Sequence, residues 1–464
     1  MFFQQFYLGC LAHASYMFGS RGEAAVIDPQ RDVDIYLEAA QKNGLKICHI
    51  FETHLHADFV SGHRELAQRT GAKIYVGAAA GAKFDHIALH DGFGLQVGNA
   101  CLTALETPGH TPESVCLVLT DCEHGDEPWA AFTGDTLFIG DVGRPDLSPT
   151  HTPQQLADMM FDSLHHKLMT LPDKTLVYPA HGAGSLCGRN MRADSSSTIG
   201  TERLTNWALQ IKNREDFVAQ MTSNLPARPE YFAQDAAINR EGAPALNELP
   251  PLDPIAPTEL EYQIAQGVTA VDVRHQDEFA AAHVPNSISI PLGGQFASWA
   301  GAVLGLSAHP VLIGETMEQI SEARLRLARV GMEDIAGYLD GGVAAWKAAG
   351  LPVTNVRQVT VQELSAHLQR NAARVLDVRR EGEWNTGHIG GASWHALDHF
   401  KRALPELDGD AKVAVHCKGG YRSMIACSFL QRAGHTNVVN VVGGFDAWEK
   451  AGLPVAAKAA STSA

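Results

Sequence analysis

Over the first thirty residues apolar and polar positions alternate in short runs broken by turns, the period-two pattern of paired strands, and AAVIDP ends at Asp28, where Pro29 stops a strand. Asp28 reads equally as a structural loop residue or an active-site one. From Val33 to Asn43 the period lengthens: Ile35, Leu37 and Ala40 mark an amphipathic helix, and Gly44 closes it. KICHIFETH (46–54) predicts a strand, Arg64 to Thr70 a helix ended by Gly71, and KIYVG (73–77) the next strand. Farther on, Pro153 to Leu171 predicts a helix, Lys174 to Ala180 a strand, and Glu202 to Met221 a helix. Strand character with β/α alternation in the middle predicts an α/β fold of the αββα kind, two packed sheets flanked by helices. Leu225 to Pro254, rich in Pro, Ala and Asn, breaks the pattern and reads as a linker.

Past the linker the chain repeats itself. AVDVRHQDEFAAAHVPNSISIPL (270–292) matches VLDVRREGEWNTGHIGGASWHAL (375–397), and LDGGVAAWKAAGLPV (339–353) matches VVGGFDAWEKAGLPV (441–455). Asp272 to His283 and Asp377 to His388 share a spacing of eleven. The expected organisation is a first domain at 1–224, a linker at 225–256, two repeated domains at 257–356 and 357–457, and a disordered tail at 458–464.

Composition changes this picture only at the margins. A chain of 464 residues suits about three domains at ~150 residues each. The formal net charge of −16 argues against nucleic acid or an anionic membrane as partner, though small anions can still meet local Arg or Lys. The first twenty residues carry no formal charge, yet they lack a basic leader, and Gln4, Gln5, Gly9, His13 and Ser15 interrupt any apolar core; paired strands fit better than a secretion signal. No apolar run approaches the ~20 residues of a membrane span. The eight cysteines form neither a C-x-x-C pair nor a dense framework, which suits a reducing cytoplasm and buried thiols.

Chemistry enters where apolar runs end. THLHADFVSGH (53–63) places His54, His56 and Asp58 within five residues, just after a strand; imidazole plus carboxylate is a ligand mix for zinc or non-haem iron. His110 in ETPGHTPES, Asp135 in AAFTGDTLF and His181 in TLVYPAHGAGS each follow a further short strand. Four ligand-bearing loops after four strands describe one site. This order resembles the metallo-β-lactamase superfamily, over roughly the first half of the chain. Hydrolases of that superfamily usually carry a histidine after H-x-H-x-D to help hold a second metal; Phe59 stands there and cannot ligate.

A single metal is therefore expected, on His54, His110 and Asp135: two imidazoles and one carboxylate with open positions, a set associated with Fe(II) oxygen chemistry. Within the superfamily the set is similar to that of persulfide dioxygenases, with one Fe(II) per chain. His56, Asp58 and His181 would act as outer-shell residues. Similar dioxygenases carry a Gly-Arg pair where GDVGRPDL (140–147) holds Arg144, a residue that would either hold a substrate carboxylate or steady the loop. Cys187, Tyr178 and Arg189 are further substrate-binding candidates.

Both repeats resemble rhodanese domains, small parallel-sheet α/β modules with an Asp-Val-Arg opening and a Gly-Gly-x-x-x-Trp ending. In the second, KVAVHCKGGYRS (412–423) puts Cys417 between an apolar strand and a Gly-rich loop entering a helix. Backbone N–H groups of Lys418, Gly419, Gly420, Tyr421, Arg422 and Ser423 can converge on the sulfur, where a helix N-terminus favours an anion. C-x-x-G-x-R-S matches the rhodanese active loop, with Arg422 bracing the loop or the anion. The first copy reads PVLIGETMEQIS (310–321), with Glu315 near the cysteine position, and is expected to be a spacer or docking module.

The resemblance implies oxidation of a low-molecular-weight persulfide, of the glutathione or coenzyme A type, by O2 to sulfite. Transfer of sulfane sulfur through Cys417 to sulfite would then give thiosulfate, in a cytoplasmic homo-oligomer. Two rivals stand beside it: a dinuclear, glyoxalase-II-like thioester hydrolase joined to a rhodanese, and a non-catalytic sulfur carrier.

Overall fold

Tyr16 and Phe18 point to one side of their strand and Met17 to the other, and all three are buried, so this strand separates two cores. In the computed structural model, which describes residues 1–223, 225, 228–407 and 411–456, it belongs to a six-stranded sheet. The strands β1 (Phe2–Leu8), β2 (His13–Ser20), β3 (Glu23–Ile27), β4 (Lys46–Phe51), β5 (Lys73–Gly77) and β6 (Ile87–Leu89) lie in chain order. They run antiparallel as far as β3 and parallel from there. A second six-stranded sheet holds β7 (Gly94–Val97), β8 (Ala100–Glu106), β9 (Val115–Asp121), β10 (Pro128–Gly134), β11 (Leu176–Pro179) and β12 (Ser197–Thr198), with only β10 and β11 parallel.

Between the sheets lie Tyr16, Phe18, Ile27, Phe51, Leu117 and Phe132. Outside the first sheet, Met17, Val26 and Ile50 pack on Tyr36 and Ala39 of α1 (Asp34–Lys42) and Leu66 of α2 (His63–Thr70). Outside the second, Cys116 and Val177 meet Met160 of α3 (Pro153–Asp162) and further helices downstream. The result is the four-layer αββα sandwich. The two sheets join at one end, where Ala14 N donates to Ala180 O at 2.7 Å and Gly182 N to Ala12 O at 2.9 Å. That end carries the loops of His54, Asp58, His110, Asp135 and His181.

The structure corrects several expectations. The helix expected to reach Leu171 stops being α-helical at Asp162 and continues as a wider turn (Ser163–Lys167) and a tight one (Leu168–Thr170). The helix expected from Glu202 to Met221 is three: α4 (Ile199–Thr205), α5 (Trp207–Gln210) and α6 (Arg214–Thr222). Asn206 and Asn213 break it, because each caps the next helix, accepting from Ala208 N at 3.1 Å and Asp216 N at 2.9 Å. Of the expected linker, the described residues up to 250 fall in the first unit, which spans 1–250 with 328–331, and 251–256 fall in the second. Within the first unit α7 (Phe232–Glu241) buries Phe232 and Asn239. Cys101 and Cys122 are bonded across the β8–β9 hairpin, where the register brings their Cα atoms to 6.1 Å. The expected tail at 458–464 lies outside the described residues. Among the described residues no helix is long and apolar enough to cross a membrane.

The second unit, 251–327 with 332–464, contains both repeats apart from residues 328–331. Each builds a five-stranded parallel sheet, with the order Pro254–Ile255, Gly337–Leu339, Val311–Ile313, Ala270–Asp272, Ile288–Ser289 in the first. The second follows it with Arg357–Val359, Val438–Val441, Val413–His416, Arg374–Asp377 and Ser393–Trp394. The shared Asp-Val-Arg opening has a structural cause: Arg274 closes on Asp272, and Arg379 on Asp377, as buried forked ion pairs with a 2.6 Å contact in each. The copies also touch within this unit, where Ser289 N donates to Ser428 Oγ at 3.0 Å.

Candidate metal centre and cysteine loop

His54, His110 and Asp135 come together at the joined end of the sandwich, all three buried. His54 Nδ1 lies 3.0 Å from Thr53 Oγ1, whose own proton goes to Asp28 Oδ2 at 2.9 Å. His110 Nδ1 donates to the Arg144 carbonyl at 2.9 Å. Both imidazoles therefore keep their protons on Nδ1 and present Nε2 lone pairs inward. His54 Nε2 is 3.8 Å and His110 Nε2 3.3 Å from Asp135 Oδ2. These three buried atoms have no hydrogen-bond partner among the described residues. Three orphaned polar atoms converging in a buried place need a ligand, and imidazole nitrogens with a carboxylate oxygen fit a divalent metal. Burial holds both histidines below their usual pKa, as ligands require, and Asp135, despite burial, is held well below its range by His181, His110 and His54.

The residues around this set are placed differently from one another. His181 bridges two carboxylates, with Nδ1 2.8 Å from Asp135 Oδ1 and Nε2 2.9 Å from Asp58 Oδ2. Burial opposes its protonation, but the two anions raise it well above the usual range. His56 turns toward Asp28 (3.2 Å) and Glu52 (3.4 Å); against the effect of burial, these push it up to about 10. Glu52, which also pairs with His63 at 3.1 Å, is pulled down to about 2 against its burial. Glu52 and His63 went unread in the sequence because a lone charged residue beside a ligand motif carries no spacing signal. Phe59 is fully buried, its ring 4.0 Å from that of His13 and 4.4 Å from that of His56.

Of the substrate candidates, Arg144 contacts neighbouring loop residues. Its guanidinium holds Asp146 through contacts of 2.6 and 2.9 Å and also donates to Leu186 O. Cys187 is brought beside Asp58 and His181 as a second buried group of ligand type. Burial, then the charges of Asp58 and Asp135, push its thiol well up. Arg189 donates to Met221 O at 2.7 Å and lines a shallow cleft with Gly143, Arg144, Leu186, Trp207 and Met221. Tyr178 is not at this site. Its ring packs among Phe3, Tyr16, Trp129 and Phe132, because the alternation of β11 turns it into the sandwich.

Gly143 explains the glycine before Arg144. A Cβ there would press on the Asp135 carbonyl and come within 2.8 Å of His110 Nδ1. Gly143→Ala is expected to lower metal content per chain by roughly tenfold, the scale of an outer-shell lesion, as measured by elemental analysis of the purified protein.

Cys417 is buried where its strand gives way to the loop, and Gly420 N donates to its Sγ at 3.1 Å. Gly420, at φ +105, caps the helix Tyr421–Arg432, and the Ser423 hydroxyl lies 3.6 Å from Sγ. Lys418 and Gly419 are exposed at the mouth. Arg422 holds Glu383 through contacts of 2.6 and 2.7 Å. Tyr421 Oη donates to Pro291 O of the first copy at 2.8 Å. The Gly-Gly-x-x-x-Trp ending belongs to this site too: Phe445 N and Asp446 N bind the Cys417 and Lys418 carbonyls at 2.8 and 3.0 Å, and a Cβ on Gly444 would strike them. In the first copy Glu315 pairs with Arg274 at 2.9 Å. Glu315→Ala is expected to leave both half-reactions within a few fold of wild type, by O2 uptake and thiosulfate assays, since that carboxylate faces no reacting atom.

Residues 8–181 match the metallo-beta-lactamase superfamily, and 256–349 and 360–451 the rhodanese-like domain. The mitochondrial persulfide dioxygenase ETHE1 of Bos taurus is 36% identical over 222 residues, 46% of this chain and 77% of the relative. The chain belongs to the metallo-beta-lactamase superfamily. Within that superfamily it has persulfide dioxygenase homologues, and its two rhodanese-like domains complete a fusion. A hydroxyacylglutathione hydrolase of Rhizobium johnstonii is also 36% identical, over 226 residues, 47% of this chain and 81% of the relative. The crystal structure of a metallo-beta-lactamase from Staphylococcus aureus subsp. aureus COL aligns with a TM-score of 0.66 and 36% identity, over 73% of this chain and 98% of that one. A superfamily metal site and a rhodanese-like cysteine loop in one chain mark it as an enzyme.

Proposed function

We propose that the first unit is an Fe(II)-dependent persulfide dioxygenase and that Cys417 passes sulfane sulfur to sulfite. The observation that carries this reading is the convergence of His54 Nε2, His110 Nε2 and Asp135 Oδ2, with His56 diverted to Asp28 and Glu52 and Phe59 where a further histidine would be needed. That leaves two imidazoles and one carboxylate, and iron bound there supplies the redox chemistry that O2 requires. The persulfide dioxygenase relatives supply the substrate class. The balanced reaction is RSSH + O2 + H2O giving RSH, sulfite and two protons.

The protein's own groups have separable tasks. Thr53 and the Arg144 carbonyl fix the tautomers of His54 and His110. His181, protonated between Asp58 and Asp135, orients the Asp135 carboxylate. Arg189 and Trp207 line the shallow cleft beside Gly143 and are the residues proposed to meet a substrate of the glutathione or coenzyme A type. At the second site the Cys417 thiolate attacks the outer sulfur of a persulfide, breaking its S–S bond and releasing RSH, and sulfite then takes that sulfur as thiosulfate and frees the thiolate; Gly420 N and the loop amides hold the sulfur anion.

One observation favours a second reading. Asp58, His181 and Cys187 form a ligand group beside the first, and hydroxyacylglutathione hydrolases are among the relatives, so a dinuclear thioester hydrolase is the alternative. Metal analysis after anaerobic purification separates the two. About one iron per chain supports the dioxygenase; two zinc ions support the hydrolase.

A further inference from the structure

Asn239 sits on α7, beyond the residues matched to the metallo-beta-lactamase superfamily, and is only 1% exposed. Its Nδ2 donates to the carbonyls of His56 and Phe59, at 2.7 Å each, and its Oδ1 accepts from the Ser61 amide at 2.8 Å. One side chain thus satisfies three backbone groups of the loop that carries Asp58, a loop with no ladder partner of its own. Two acceptors and one donor face the carboxamide. Only an amide, in this one orientation, answers all three, and an aspartate would set an anion against two carbonyls.

The helix that holds Asn239 is itself tied to the sandwich. Lys83 N donates to Arg240 O at 2.8 Å, Arg64 to Gly242 O at 2.9 Å, Arg31 to Pro244 O at 2.6 Å, and Leu246 N to Glu65 Oε2 at 2.8 Å. We infer that Asn239 is a positioning residue for the metal centre, fixing the backbone at 56–61 so that Asp58 meets His181 and, through it, Asp135. The path is short: the loop carries Asp58, Asp58 Oδ2 lies 2.9 Å from His181 Nε2, and His181 Nδ1 lies 2.8 Å from Asp135 Oδ1. Outer-shell partners of this kind set both affinity and ligand geometry. The inference rests on the reading that His54, His110 and Asp135 hold the metal.

The test uses the full chain and Co(II) alone as the probe. Asn239→Asp keeps the size and removes both donors; it is expected to weaken Co(II) binding by about 10- to 100-fold in chelator competition. It is also expected to change the visible Co(II) spectrum at saturating metal. A residue that only stabilises the fold would leave that spectrum unchanged in folded protein, so circular dichroism is recorded on the same samples. If Asn239→Asp does not fold, Asn239→Ala, which leaves room for water at the three backbone groups, is judged by the same two readouts. Affinity within twofold of wild type and a superimposable spectrum, with binding lost in His110→Ala, overturn the inference alone. Wild-type binding in His110→Ala overturns the ligand reading and the inference with it.

Discussion

Cys417→Ser is expected to keep O2 uptake on persulfide near the wild-type rate while its product shifts from thiosulfate to sulfite. Serine preserves the size of the side chain in a loop with little space, where Gly420 N, the Ser423 hydroxyl and the carbonyl contacts from Phe445 and Asp446 surround residue 417. A hydroxyl is not ionised near neutral pH and cannot hold a transferable sulfane sulfur, so thiosulfate formation should fall by roughly two orders of magnitude or more, the scale seen when a nucleophile is removed. The oxidation does not need Cys417, which belongs to the other folding unit. Product analysis with the non-enzymatic reaction of sulfite subtracted decides it. Thiosulfate at the wild-type rate would move the transfer elsewhere, and Cys187, beside Asp58 and His181, becomes the thiol to examine.

His110→Ala and Asp135→Ala give the reverse pattern. On the proposed ligand set each removes one of three converging donor atoms and leaves two, so iron content and O2 uptake are expected to fall together by roughly 10²-fold or more. Asp135→Ala has a second effect, because His181 loses one of the two carboxylates that it bridges. Cys417-dependent sulfur transfer, read with an added sulfane donor, should stay within about twofold, since Cys417 and its loop belong to the other unit. Normal O2 uptake in a variant shown to be free of iron would contradict the ligand assignment.

The parts of this molecule that were legible in the sequence are those written in short periods. The alternation through Tyr16, Met17 and Phe18, the strand before His54 and the doubled Asp-Val-Arg opening each depend on neighbours within a few residues. The four loops that bring His54, His110, Asp135 and His181 together were visible for the same reason. Long-range polar contacts were not. Nothing local marks Glu52 as the partner of His56 and His63, or Glu383 as the brace of Arg422, because each pairing depends on a fold that brings distant carboxylates to one place. The segment around α7 looked like a linker because Pro, Ala and Asn dominate it, yet its buried Asn239 answers three backbone groups. Tyr178 was misplaced for a subtler reason: two residues before a strand-end turn can face either the site or the core, and only the pairing of β10 with β11 decides which. The Cys101–Cys122 bond depends on the β8–β9 register and has no signature in spacing.

The most direct test of persulfide oxidation is O2 consumption by the anaerobically purified, iron-loaded chain, titrated with glutathione, coenzyme A and cysteine persulfides. The expected result is one O2 consumed per persulfide oxidised, for at least one of these donors, with the oxidised sulfur recovered as sulfite and thiosulfate. Absence of O2 uptake with every persulfide, while an acyl thioester of glutathione is hydrolysed, would contradict it.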